Sequence, residues 1–201
     1  MAYSTMTNRA AGYIVAESDW DDITNNFDAL NSAFRIDLTL TASIVPLSGI
    51  DGASLELVES SGAGTAKPVL YGLRFDDSTD EGRMWVAKVP RLFGGNPTLK
   101  GSYKMTGANT SKSVGLVCQV AAVSDGDTHS TVEFDTANTL TESVPDTADE
   151  SDEFEITLTN NDNMAADDWL CIILYRDVDA SDDAVGDFIL TSLALHYTLA
   201  A

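Results

Sequence analysis

The residues best suited to chemistry lie near the C-terminus, in an acidic stretch that follows an apolar run. Four of them alternate like the first ligands of a calcium-binding loop: Asp177, Asp179, Ser181 and Asp183. The pattern then fails, because Asp182 stands where such a loop needs glycine and Phe188 stands where it needs a bidentate glutamate. We therefore expect a solvated turn, with no metal and no other cofactor.

Arg176 comes directly after the apolar run and is followed by Asp177, Asp182, Asp183 and Asp187, so we expect a guanidinium held by carboxylates of the loop. The predicted partners are Asp182, Asp183 and Asp187. Arginine binds carboxylates in a bidentate geometry that can fix a turn. We interpret this set as a structural ion pair rather than a ligand site.

The two histidines lack the partners that catalysis requires. His129 lies in a polar stretch near Asp127, and His196 lies close to the C-terminus. The sequence contains no nucleophile motif, phosphate-binding loop or zinc-protease motif. Cys118 and Cys171 each lie inside an apolar run, where we expect buried free thiols and neither a disulfide nor a zinc site. The sequence predicts a protein that is not an enzyme.

The charge balance excludes several classes of partner. The chain has 32 acidic and 11 basic residues, for a net charge of -21, whereas binding to nucleic acid requires clustered Lys and Arg.

No apolar run approaches the roughly 20 residues of a membrane span, and the N-terminus lacks the pattern of a signal peptide. We expect a protein that contacts neither nucleic acid nor membrane and is used without Sec export.

Two apolar runs, at 169–175 and 188–197, are interpreted as adjacent antiparallel strands at the middle of the core. In the second run, the parity of Ile189, Leu193 and Leu195 is the only consistent core face. In the first run both parities are apolar, which is typical of a central strand covered on its outer side by a second sheet or by a neighbouring subunit.

Short strand-like runs separated by Gly, Asn and Asp turns continue through the rest of the chain. The candidates are residues 36–45, 54–58, 69–75, 84–89, 99–105, 114–123, 131–134 and 154–158. We predict an all-β, jelly-roll-like sandwich of about eight to ten strands. Residues 135–153 are predicted to be an exposed acidic connector. Trp85 and Trp169 are expected in the core, and Tyr71 and Tyr103 can face either way.

The first part of the chain differs from the rest. Residues 1–13 are small and polar and cannot form a core of their own, so they are either disordered or an arm laid on another protein. Residues 18–34 carry one apolar stripe at helical spacing: Trp20, Ile23, Phe27, Leu30 and Phe34. That stripe either packs on its own domain or forms a short bundle with neighbouring subunits.

The C-terminal runs are similar to the closing strands of jelly-roll domains in tailed-phage virion proteins. The residues that carry this resemblance are 168–177, Asp182 and Asp183, Gly186 and Asp187, and 189–197. The opening residues 13–20 and the helix predicted after them resemble the start of many small phage structural proteins. The resemblance implies a virion role, as a capsid decoration (cement) protein or a module of a head or tail fibre. It implies no catalytic residues.

We therefore expect an arm and helix at residues 1–35 and a sandwich at residues 36–201. The expected partner is the major capsid protein, and the expected assembly is a homotrimer on the capsid surface of a virion, made in the host cytoplasm. The contacts to capsid or sister subunits are expected from Tyr3, Arg9, Tyr13, Ile14, Trp20, Ile23, Phe27, Leu30 and Phe34. The alternative is a glycan- or receptor-binding module of a fibre, which predicts exposed aromatic rings near one end of the sandwich.

Overall fold

The computed structural model describes residues 34–46, 50–60, 62–179 and 181–200. They contain eleven strands: β1 (Phe34–Asp37), β2 (Asp51–Gly52), β3 (Ser54–Glu59), β4 (Val69–Phe75), β5 (Glu81–Lys88), β6 (Phe93–Met105), β7 (Ser113–Val123), β8 (Asn138–Ser143), β9 (Ser151–Thr157), β10 (Trp169–Arg176) and β11 (Phe188–Leu199). Two short 3-10 turns lie at Leu40–Ala42 and His129–Thr131. None of the helices in these ranges is long and apolar enough to cross a membrane.

The strands form two sheets that pack face to face. The six-stranded sheet has the order β3-β4-β11-β6-β9, with β1 also paired to β11, and the five-stranded sheet has the order β2-β5-β10-β7-β8. All pairs are antiparallel except β2 with β5. The predicted all-β, jelly-roll-like sandwich is confirmed.

The inner face of the six-stranded sheet holds an aromatic cluster. The rings of Tyr103 and Phe188 stack with centroids 4.6 Å apart, and Phe75 meets Phe188 edge-on at 5.7 Å. Phe154 lies 6.1 Å from Phe188. Leu170 and Ile172 of β10 are buried in the same core from the opposite sheet. Because each strand alternates its side chains, these inward positions leave the intervening residues on the outer faces.

Strand β11 keeps a core face along its whole length by means of a bulge. Phe188 and Leu190 point into the core, and after a register shift between Leu190 and Ser192 the inward residues are Leu193 and Leu195. The prediction of one unbroken core parity was therefore wrong for the first part of the strand. A bulge adds one residue and moves the following side chains to the other face.

The predicted pairing of the two C-terminal strands was also wrong. β10 lies at the centre of the five-stranded sheet between β5 and β7, whereas β11 lies in the six-stranded sheet between β4 and β6. The acidic stretch between them therefore crosses from one sheet to the other. Each strand does lie at the middle of its own sheet and contributes residues to the core.

Three other segments differ from the prediction. Residues 131–134 form no strand, because part of this stretch is the 3-10 turn at His129–Thr131. The connector 135–153 contains β8, a Thr-rich edge strand beside β7. The first predicted strand is shorter, since β1 ends at Asp37 and the chain then turns towards β5, where Ile44 pairs with Met84.

Candidate functional site

The outer face of the six-stranded sheet carries a polar groove that crosses β1, β11, β6 and β9. The strand registers place Asp37 beside Ala194, Ala194 beside Lys100, and Lys100 beside Glu155. The groove has a volume of about 590 Å³. Its polar side chains are Arg35, Asp37, Lys100, Ser102, Glu142, Glu153, Glu155, Ser192 and His196.

Small residues form the floor of the polar groove. Ala194 and Ser192 occupy the outward positions of β11 between the longer side chains of its neighbours. The Ser192 hydroxyl accepts a hydrogen bond from the backbone N–H of Ser102 at 3.2 Å. Since this hydroxyl is tied to the adjacent strand, the floor is fixed and the long charged side chains stand on either side of it.

Ion pairs hold the charged side chains of the polar groove. Lys100 Nζ lies 2.6 Å from Glu155 Oε2, and Arg35 Nε lies 3.0 Å from Asp37 Oδ1. All four side chains remain partly exposed, so their remaining hydrogen-bonding capacity faces the open groove. The arrangement offers donors and acceptors to a ligand without first breaking its own pairs.

His196 lies between these two ion pairs. Its burial lowers its pKa below the usual range, and the positive charges of Lys100 and Arg35 lower it further. The imidazole is consequently neutral at pH 7, with one nitrogen that donates and one that accepts a hydrogen bond. At the β8 border, Glu142 has a raised pKa because of its burial and of the nearby Asp152 carboxylate.

The outer face of the five-stranded sheet has the opposite character. The side chains that point outwards from this sheet are those at alternate positions of its strands. They include Val86 on β5, Trp169 on β10 and Ala121 on β7. Its larger side chains are Met84, Val86, Lys88, Val117, Gln119, Val123, Trp169, Cys171, Ile173 and Tyr175. Val86 and Trp169 are exposed, whereas Val117, Val123 and Ile173 are buried. No outward position of these four described strands is Asp or Glu. We call this surface the carboxylate-free face.

Of the two tryptophans that were predicted to lie in the core, one is buried and one is exposed. Trp85 is buried, and its indole N–H donates to the Thr39 carbonyl at 3.2 Å. Trp169 is 51% exposed on the carboxylate-free face, with Lys88 Nζ 5.6 Å from its ring centroid, so its expected place in the core was wrong. Tyr103 is buried and Tyr71 is exposed.

Arg176 is fully buried and binds one of its three predicted partners. Its Nε and a terminal nitrogen donate to the two oxygens of Asp182 at 2.6 Å and 3.0 Å, and its remaining bonds go to the carbonyls of Gly186 and Ala184. Asp183 and Asp187 bind other cations. Asp183 pairs with Lys112 and accepts from the backbone of Ser113, while Asp187 pairs with Arg74.

The acidic groups that come together in the described ranges are already bonded within the chain. Asp76, Asp77 and Asp187 have carboxylate oxygens within 4.8 Å of one another. However, Asp187 is paired with Arg74, and Asp77 accepts from the backbone N–H of Gly186. In the stretch that resembles a calcium loop, Asp177 accepts from the backbone of Asp179. The bond between Asp177 and Asp179 belongs to a local turn, whereas the other two join segments that are distant in the sequence.

Comparison with solved structures finds other β-sandwiches. A xylan-binding domain from Paenibacillus barcinonensis is 11% identical, with a TM-score of 0.44 over 84% of this chain and 95% of that one. A family 16 carbohydrate-binding module is 17% identical, with a TM-score of 0.39 over 72% and 86%. An arabinose-bound α-L-arabinofuranosidase is 14% identical, with a TM-score of 0.47 over 85% and 27%.

At identities this low, the similarity is one of β-sandwich architecture alone. No protein-family model and no curated protein matches the sequence. The function of the chain must therefore be argued from its own surfaces.

Of the residues expected to contact capsid or subunits, only Phe34 lies within the described ranges. It begins β1, so it belongs to a strand rather than to the end of a helix, and its ring packs against Tyr197 at 6.3 Å. The other eight lie outside those ranges: Tyr3, Arg9, Tyr13, Ile14, Trp20, Ile23, Phe27 and Leu30.

Sequence reasoning missed the polar groove. The only signal is the alternation of charged and apolar residues at 99–105 and 153–157, which marks solvent-facing sides of two strands.

Proposed function

We propose that this protein is a non-enzymatic binding module whose polar groove takes a neutral glycan. The observation that supports it is the convergence of four strands on one open groove. Lys100, Arg35 and His196 bring donors there, and Glu155 and Asp37 bring acceptors. Its volume of about 590 Å³ lies within the usual range for small-ligand sites, about 300 to 1,000 Å³.

A sugar matches this pattern because each hydroxyl both donates and accepts a hydrogen bond. A carboxylate beside an ammonium or guanidinium group can bind both functions of one hydroxyl, or of two adjacent hydroxyls. The ion pairs hold these groups in place before the ligand arrives, which reduces the entropy lost on binding. A strongly anionic ligand is disfavoured by the net charge of -21.

The same groups argue against glycoside hydrolysis. That reaction needs one carboxyl group kept protonated and a second kept ionised on either side of the scissile bond. Glu153 and Glu155 are both exposed on one side of β9, and Glu155 is paired with Lys100. Glu142 at the β8 border has a raised pKa, so the lack of hydrolysis is part of the proposal, and it is tested by incubation of the bound glycans with the protein.

The test is a screen against neutral glycans followed by calorimetry of wild type and two variants. Lys100→Ala is expected to weaken binding at least about tenfold, a loss of about 1.4 kcal/mol. Lys112→Ala is the matched control, because Lys112 and Asp183 form a similarly exposed pair outside the polar groove; its affinity is expected to equal wild type.

Two results would contradict the proposal. One is the absence of binding to any neutral glycan. The other is a bound glycan whose affinity falls with Trp169→Ala and not with Lys100→Ala, which would place the site on the carboxylate-free face.

A second candidate, decoration of a phage capsid, is favoured by the carboxylate-free face. The outward positions of β5, β10, β7 and β8 in the described ranges include no Asp or Glu, and Val86 and Trp169 are exposed among them. Such a surface suits contact with protein. In this role the protein would be a virion component, bound to the major capsid protein as a homotrimer, with residues 1–35 making the attachment. The polar groove would then face outwards from the particle.

Co-sedimentation with capsids stripped of accessory proteins tests this candidate. Saturable binding at a fixed ratio to the shell protein is the expected result, and removal of residues 1–17 should weaken it without unfolding the sandwich. A chain that remains in the supernatant at every concentration contradicts the capsid role.

A further inference from the structure

We infer that the β3–β4 hairpin is the docking surface for residues 18–33 of the same chain, which bind it through their apolar stripe. The stripe residues concerned are Trp20, Ile23, Phe27 and Leu30. The surface that receives them, which we call the hairpin inner face, consists of Leu55, Leu57, Val69 and Tyr71. Docking of this kind does not depend on a glycan ligand.

The strand register places the hairpin inner face on the core side of the six-stranded sheet. Leu73 of β4 is buried in the core, and because side chains alternate along a strand, Tyr71 and Val69 point to the same side. On β3, Leu55 lies opposite Leu73. Leu57 in turn lies opposite Tyr71. Residues directly opposite each other in paired strands share a face, so all four side chains form one surface.

The hairpin inner face is left uncovered by the described part of the chain. Its side chains are exposed by 41% at Leu55 and by as much as 63% at Leu57. β4 pairs with β11 only at residues 73–75, and β1 occupies the next stretch of the same edge of β11. The rest of the hairpin therefore extends past the core, as an apolar patch that ends at Glu59, opposite Val69. Adjoining exposed apolar side chains of this kind mark a contact surface.

The place where residues 18–33 join the sheet favours them as the occupant. They lead directly into β1, whose first residue, Phe34, is also the last residue of the stripe and lies opposite Tyr197. Phe34 has the same parity as Ile36, which packs against the core. The stripe therefore already meets the sheet on its core side, which is the side of the hairpin inner face.

The reach of the segment also suits this contact. Residues 31–33 join Leu30 to Phe34 and can span up to about 13 Å. In the helix that the sequence predicts, the stripe from Trp20 to Leu30 is about 15 Å long, and residues 55–59 of β3 span about 13 Å. A tether this short gives the segment a millimolar effective concentration at the hairpin. The segment of the same chain therefore binds in preference to that of a second copy at lower protein concentrations.

The test places the photo-crosslinking residue p-benzoyl-phenylalanine at position 27 of the full chain, and mass spectrometry maps its products. Crosslinks are expected to peptides that contain Leu57 or Tyr71. Position 25 is the matched control, because Asn25 lies off the stripe, and it should give no crosslinks to those peptides. An equal mixture of unlabelled and 15N-labelled chains separates contacts within one chain from contacts between two copies, and we expect no products of mixed label.

Two variants of the hairpin test the surface itself. Leu57 and Leu70 are 63% and 58% exposed on opposite faces of the hairpin. Leu57→Asp is expected to lower the crosslink yield from position 27 at least about tenfold, because docking would bury a carboxylate. Leu70→Asp is the matched control and should leave the yield at the wild-type value. Near-ultraviolet circular dichroism should show the same folded sandwich for both variants, since both side chains lie outside the core.

Three results would overturn the inference. Crosslinks from position 27 to other peptides, or none, would mean that the stripe does not dock on the hairpin inner face. Products of mixed label would mean that the occupant is a second copy. Equal losses of yield in Leu57→Asp and Leu70→Asp would mean that the contact does not depend on this face. Neither variant alters the polar groove, so glycan affinity should be unchanged in both.

Discussion

At the scale of single residues, Arg176 is the side chain on which the C-terminal turn depends. Its side chain is buried together with that of Asp182. Its other N–H groups donate hydrogen bonds to the carbonyls of Gly186 and Ala184. The guanidinium thereby fixes the path of the acidic stretch as it crosses between sheets. A buried ion pair adds little net stability, but loss of one partner leaves an uncompensated buried charge.

Replacement of Arg176 should therefore be far more harmful than replacement of a surface cation. Arg176→Met is expected to lower the free energy of unfolding by about 3 to 5 kcal/mol, measured by urea denaturation. Arg91→Met is the control, because its pair with Asp167 is largely exposed, and it should cost less than about 1 kcal/mol. The double variant Arg176→Met with Asp182→Leu should recover part of the loss. Equal costs for the two single variants would contradict this role.

His196 gives the polar groove a defined response to pH. In the folded protein, the pKa of His196 is lowered by burial and by the charges of Lys100 and Arg35. The His196 imidazole therefore binds a proton more readily in the unfolded chain. The free energy of unfolding should therefore decrease as pH falls from about 6.5, the ordinary histidine value, towards the lower pKa of the folded state. At about pH 8 the imidazole is almost entirely neutral in both states and contributes almost no slope.

Urea denaturation between pH 8 and pH 5 measures this effect. The difference in unfolding free energy between wild type and His196→Gln isolates it from the carboxylates, which titrate in both proteins. As the pH decreases, the unfolding free energy of wild type should fall relative to that of His196→Gln. A constant difference across the range would show that the groove does not perturb His196.

At the scale of elements, the aromatic cluster on the six-stranded sheet joins four strands. Phe75 comes from β4, Tyr103 from β6, Phe154 from β9 and Phe188 from β11, and Phe188 contacts the other three. The ring of Phe188 therefore stabilises the sheet on which the polar groove is built.

Truncation of Phe188 should show this dependence. Phe188→Ala is expected to cost about 3 to 5 kcal/mol in unfolding free energy, because the cavity it leaves is enclosed by other rings. Phe134→Ala, at a partly exposed ring outside the cluster, should cost less than about 1 kcal/mol. Thermal or urea unfolding that ranks the two variants in the reverse order would contradict this account of the core.

The elements also show how far local pattern could predict this fold. The strand at 69–75 has the predicted bounds because a run of apolar residues lies between turn residues. β8 was missed because Leu140 is its only large apolar residue. The bulge after Leu190 was missed because parity was assumed to be unbroken, and the turn residues after β10 could not reveal that β11 joins the other sheet.

The polar groove was less predictable still. Its side chains come from five strands spread from Arg35 to His196, and only the arrangement of those strands in the fold brings them together. The pairing depends on long-range contacts that no local window contains. By contrast, Arg176 and its carboxylate could be proposed from sequence because the two lie six residues apart.

At the scale of the whole molecule, the two outer faces of the sandwich have different chemistry. One carries paired charges around the polar groove. On the other, the outward positions of β5, β10, β7 and β8 in the described ranges include no Asp or Glu. We propose the first as the ligand face.

The most direct test of this account is a titration of the 15N-labelled protein with the tightest glycan from the screen, followed by backbone amide NMR. The account predicts that shifted amides cluster on β1, β11, β6 and β9, around Lys100, Glu155 and His196, while those around Trp169 stay fixed. Shifts that cluster around Trp169 and leave the polar groove unchanged would contradict it.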